Sequence, residues 1–201
     1  MTHCPGIIFG WVVLKYYLYQ HIPAENYWLL VSTSVYALFM TFSYVTSTLY
    51  HRATDEVRKF RLRKFDHAAI YLHIAGSYTP FTLVVLRHEG AWGWSLFAVI
   101  WLAAVAGVIL SFTHLKNAGK LETFCYVAMG WVVVIAFKPL IDVLSAAGNM
   151  PVFWWMVAGG VAYTLGAVLY MIKKLEFMHA VWHLFVLAGS VCHAIAIANI
   201  R

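Results

Sequence analysis

Residues 179–200 read H-A-V-W-H-L-F-V-L-A-G-S-V-C-H-A-I-A-I-A-N-I. The run holds no Asp, Glu, Lys or Arg. It is long enough to cross a bilayer as a helix, which takes about 20 predominantly apolar residues. His179 and His183 open it, spaced as H-x-x-x-H, so they lie one turn apart on one helical face. An imidazole at a membrane boundary is costly unless it binds something or is hydrogen-bonded. A second apolar run, from about Tyr27, closes on His51. Three imidazoles that converge from two helices point economically to a metal ion, and zinc suits nitrogen donors.

The rest of the chain has the same character. Only 11% of its residues are charged and 63% are hydrophobic, whereas a soluble domain carries about 25% charged residues. A soluble protein is excluded. Residues 1–201 are read as a single polytopic membrane domain, all-α throughout. Nine Trp and twelve Tyr suit the two membrane interfaces. Cys4, Cys125 and Cys192 fall in apolar stretches without a C-x-x-C pairing and read as core thiols. No cleavable signal peptide is expected, because a basic n-region and a small-residue cleavage site are both missing.

Seven segments qualify as spans: about Pro5–Tyr19, Tyr27–His51, Asp66–Leu86, Ala91–Thr113, Leu121–Asp142, Pro151–Ile172 and His179–Ile200. Loop charge orients them. Arg52, Arg58, Lys59, Arg61, Arg63 and Lys64 lie between the second and third segments. Lys116 and Lys120 lie between the fourth and fifth, and Lys173 and Lys174 between the sixth and seventh. Ten of the fourteen Lys and Arg residues therefore share one side, which the positive-inside rule makes cytoplasmic, with the N-terminus. His51, Asp66, His179 and His183 then share one membrane depth at that cytoplasmic face.

Polar residues form stripes that should face the bundle interior. Ser43, Ser47 and His51 recur every four residues; Asp66, His73 and Ser77 share a face of the third segment; His179, His183, Ser190 and His193 share one of the seventh. Three histidines on zinc leave its fourth position for water, whose pKa falls to about 7 there, so an open site of this kind suggests hydrolysis. Position 180 is Ala, so the H-E-x-x-H protease signature is absent. Asp66 is the candidate base and Ser47 the candidate helper at a developing oxyanion. Plainer roles stand beside these. Asp66 would equally cap the third helix, and Ser47 would equally bond back to a carbonyl of its own helix. His73 and His193 read as bundle-core hydrogen-bonding residues, His67 as facing headgroups, and His3, His21, His88 and His114 as interfacial. Haem fits poorly, because two His on one helical turn cannot serve both faces of one ring. Every Asp and Glu falls near a segment end or in a loop, which disfavours a proton-coupled transporter with a midplane carboxylate.

These residues resemble a known family. S-T-L-Y-H (Ser47–His51) resembles the S-x-x-x-H motif of the hemolysin III proteins and the related progestin and adiponectin receptors. F-D-H-A-A-I-Y-L-H-I-A-G-S-Y-T-P-F (Phe65–Phe81) and H-A-V-W-H-L-F-V-L-A-G-S-V-C-H (His179–His193) are similar to its second and third blocks. The order is the expected one over nearly the whole chain, and the compact length resembles the bacterial branch. The resemblance implies a seven-helix bundle with zinc on His51, His179 and His183, Asp66 holding water beside it and Ser47 adjacent. Through the receptors and the similar alkaline ceramidases it also implies amide hydrolysis of a sphingolipid-like substrate. The bacterial name implies lysis and pore formation, and some bacterial relatives are linked to membrane fluidity or energetics. Thr2-His3 match the Thr-His pair of relatives, but the Glu and Asn that precede it there have no counterpart, so a truncated or differently chosen start is expected.

Two functions follow as expectations. The first is a zinc-dependent hydrolase of a lipid amide or ester in the inner (plasma) membrane. The alternative is a non-enzymatic lytic, pore-forming or membrane-sensing protein in which zinc braces the second and seventh helices. The outer halves of those helices are mostly apolar, which disfavours a monomeric pore. The expected partners are membrane lipid, N-acyl or sphingolipid-like, and anionic headgroups at the basic loop; no nucleic acid is expected.

Overall fold

The computed structural model describes residues 4–22, 26–113, 119–171 and 178–200. Thr2, His3, His114, Lys116, Lys173 and Lys174 lie outside the described residues, and so do the side chains of Cys4, Lys120 and His179. The helices are α1 (Cys4–His21), α2 (Tyr27–Arg52), α3 (Glu56–Pro80), α4 (Trp92–Thr113), α5 (Gly119–Trp131), α6 (Phe137–Ala146), α7 (Met150–Met171) and α8 (Met178–Ala198). No strand occurs among the described residues. A short 3-10 turn, Val132–Ala136, joins α5 to α6, and the two make one span, Leu121–Ala146. Among the described residues, six spans are long and apolar enough to cross a membrane; α1, with Lys15 inside it, completes a seven-rod bundle. Each rod packs on the next in sequence, α1 also meets α8, and α3 reaches across to α5. That ring places α3, the most enclosed span, beside both α2 and the fifth rod. Cys125 and Cys192 are free thiols, as the sequence suggests.

One boundary departs from expectation and matters for the site. The third helix begins ten residues before Asp66. Asp55 caps it, accepting from the Arg58 amide at 2.7 Å. The charged stretch Glu56–Lys64 is helical because Arg, Lys and Glu are good helix formers that need no burial. An apolar-window reading stops at the hydrocarbon edge and misses this lead-in. Asp66 therefore does not cap a helix; it sits inside α3, with one side of its turn facing the bundle.

The fifth span is broken where the sequence shows an unbroken apolar run. A 3-10 turn leaves carbonyls without helical partners, which lipid cannot satisfy. Tyr78 of α3 supplies the remedy. Its hydroxyl lies 2.7 Å from the Gly130 carbonyl and 3.1 Å from that of Met129, and it accepts from the Val133 amide at 3.0 Å. Tyr78→Phe should cost about 1–3 kcal/mol, the penalty for stranding buried polar groups. Thermal melting in detergent checks this; an unchanged midpoint would show that the break does not depend on Tyr78. At the other end of α3, Pro80 removes a donor, and the helix continues as a wide π turn over Phe81–Val85. Glycine brings α7 close to α8: a Cβ on Gly166 would sit 2.7 Å from the Phe185 Cβ.

Candidate metal and catalytic site

The four-residue repeat on α2 puts Ser43, Ser47 and His51 in a line. Ser43 and Ser47 are buried, and His51 stands exposed at the helix end. The first turns of α8 carry the buried His183 to it. The two imidazole centroids are 5.5 Å apart, with their planes at 75°. Two imidazoles on one tetrahedral zinc, each nitrogen about 2.0–2.1 Å from the metal, set their centroids roughly 5 Å apart. The pair thus has a spacing that suits shared coordination. The third expected ligand, His179, begins the same helix one turn earlier, but its side chain lies outside the described residues. Among the described residues no group of three or more His, Cys, Asp or Glu is close enough to hold a metal ion; of the three expected ligands, the described side chains are the pair His51–His183.

α3 contributes Asp66, whose carboxylate is hydrogen-bonded to the Ser47 hydroxyl. Ser47 thus reaches across to a neighbouring helix. With Asp66 ionised, the carboxylate only accepts, so the Ser47 hydroxyl is the donor. Ser47, Asp66 and His183 line one end of a cavity of about 260 Å³. Arg63 and Tyr50 line the same end, and the Tyr50 ring stands 4.7 Å from that of His51. The cavity runs on between the helices to Phe81, Leu86, Leu96 and Leu140. It is polar at one end and mostly apolar along its length.

A buried ion pair beside this region has no local signature in the sequence around His67. His67 does not face headgroups. Its Nδ1 pairs with the Glu122 carboxylate of α5, and Glu122 is 1% exposed. Ser111 of α4 donates to the same carboxylate at 3.3 Å, and Tyr126 donates to the His67 carbonyl at 3.2 Å. The available signal was Glu122 itself, a charge at the start of an apolar span, which is costly unless paired. Glu122→Leu should destabilise the bundle by about 3–5 kcal/mol, because it strands a partner of a buried pair, and Glu122→Gln by less. Equal melting midpoints for the wild type and Glu122→Leu would contradict this. His73 and His193 are buried bundle-core residues, and His193 hydrogen-bonds the Met156 carbonyl.

The profile of the family described as Haemolysin-III related matches residues 1–194. The chain is 42% identical to Hemolysin-3 of Bacillus cereus over 193 residues, covering 94% of this chain and 84% of that one. It is 39% identical to the Hemolysin-3 homolog of Bacillus subtilis (strain 168), covering 94% and 86%. More distantly, it is 29% identical over 185 residues to the Monocyte to macrophage differentiation factor of Homo sapiens, covering 88% and 73%. With a family match over nearly its whole length and a bundle of membrane-spanning helices to go with it, this chain belongs to the haemolysin III family.

Proposed function

We propose that this protein is a zinc-dependent hydrolase of a lipid amide or ester. The observation that carries the reading is the apposition of His51 and His183 beside the Ser47–Asp66 hydrogen bond, at the polar end of a long apolar cavity. His51, His183 and His179 would hold the ion. Zinc, when bound, supplies Lewis-acid activation of water and of a carbonyl. Asp66 accepts the proton of the attacking water as its oxygen bonds to the carbonyl carbon. The carbon–nitrogen bond (carbon–oxygen in an ester) then breaks, and Asp66 returns the proton to the leaving group. Ser47 orients Asp66 by its hydrogen bond. The apolar length of the cavity seats the acyl chain and keeps bulk water away.

The basic end of the bundle faces the cytoplasm in this reading, within the inner membrane. The exposed Arg58, Lys59 and Arg61 of the α3 lead-in meet anionic headgroups there. A second reading takes its support from the printed name of two relatives, Hemolysin-3: a lytic or membrane-sensing protein in which the ion braces α2 against α8. The deciding experiment is a screen of N-acyl lipids with zinc-loaded protein, run beside Asp66→Asn. Turnover that disappears in the variant supports the hydrolase; no turnover of any N-acyl or ester lipid by the wild type overturns it.

A further inference from the structure

We infer that the cavity has a second binding subsite at its waist, formed by His73 of α3 and His193 of α8, which takes a hydroxyl carried part-way along an acyl chain. The inference rests on the cavity seating a lipid chain, as proposed above, but not on that lipid being hydrolysed. Both histidines line the cavity, and they are only 6% and 8% exposed. The Tyr163 ring stands against both, with centroids 6.1 Å from His73 and 5.4 Å from His193. His73 follows Asp66 by seven residues on α3, about 10 Å along a helix, and His193 follows His183 by ten on α8, about 15 Å. The waist therefore lies well below the polar end. Beyond it the lining becomes apolar again, at Phe81, Leu86 and Leu140.

The hydrogen bonds around the waist define what would fit. Ser190 Oγ donates to the Val186 carbonyl at 2.9 Å. It must then accept from the hydroxyls of Tyr44 at 2.9 Å and Tyr163 at 3.0 Å. Tyr36 donates to the Ser190 carbonyl at 2.8 Å. The hydroxyl protons of all four residues are thus committed. His193 Nε2 lies 3.2 Å from the Met156 carbonyl; a carbonyl only accepts, so Nε2 carries the proton. In the neutral ring this makes Nδ1 an acceptor. Neither His193 Nδ1 nor His73 Nε2 has a hydrogen-bond partner among the described residues. Buried polar atoms are normally satisfied. A hydroxyl held between the rings would donate to His193 Nδ1 and accept from His73 in its Nε2–H tautomer. A ketone only accepts, and would leave His193 Nδ1 unmet.

The test is competition binding to wild-type protein in phospholipid nanodiscs. A fluorescent fatty acid is displaced either by stearate or by stearate hydroxylated at mid-chain. Hydroxystearate should displace it about tenfold more tightly, as one net hydrogen bond implies. His73→Phe and His193→Phe, which keep the bulk of the ring, should each reduce that preference below about threefold and leave stearate binding within about twofold. Equal displacement by the two acids in the wild type, as expected if the waist holds only water, overturns the inference. So does displacement by neither acid, or a preference that survives both replacements. The wild-type comparison stands even if a variant fails to fold. A hydroxyl preference without any lipid turnover would sink the hydrolase reading alone, and turnover without the preference would sink the subsite alone.

Discussion

His183→Ala, purified from membranes, is expected to lose its zinc and its lipid hydrolysis together. The wild type should carry about one zinc per chain, and the variant less than about a tenth of that after dialysis, because loss of one of three imidazoles removes a direct bond to the ion. Outer-shell losses alone cost 10–100-fold in metal affinity, so a lost ligand should cost more. His179→Ala should behave the same way, although its side chain lies outside the described residues. His193→Ala is the matched control: it removes a histidine of the same helix deep in the bundle and should leave the metal in place. Elemental analysis of monodisperse protein decides the matter. Full zinc occupancy in His183→Ala would refute the ligand assignment.

Asp66→Asn separates chemistry from architecture. The substitution preserves shape and still lets the side-chain oxygen accept from Ser47. It removes the basicity that takes a proton from water, and general-base losses run to about 10²–10⁴-fold in rate. Turnover should fall by that factor while zinc content stays within about twofold and the melting midpoint barely moves. If the ion only braces α2 and α8, lysis or conductance should survive the change unaltered. Unchanged turnover in Asp66→Asn would remove the carboxylate from the mechanism.

The sequence carried the bundle and one end of the site because both are written in local patterns. Span count follows from apolar run length, and the α2 stripe Ser43–Ser47–His51 follows from the helical repeat. These features also predicted that His51 and His183 would meet, since both lie at the basic ends of their helices. What escaped were features that depend on partners far away in sequence. Hydropathy alone puts Asp66 at a helix start, because the apolar run ends there, whereas charged residues in water continue the α3 helix backwards. The neighbours of His67 in sequence point it to headgroups; its partner Glu122 lies 55 residues away. The break between α5 and α6 has no Pro or Gly at its centre (Val132–Ala136). It depends on the hydroxyl of Tyr78, from a different helix.

The most direct test is the zinc K-edge X-ray absorption spectrum of the purified wild-type protein. A first shell of light atoms at about 2.0–2.1 Å with the outer scattering of imidazole rings, abolished in both His51→Ala and His183→Ala, is the predicted result. A sulfur shell at about 2.3 Å, or an imidazole signal that persists when both of these histidines are replaced, would contradict the account.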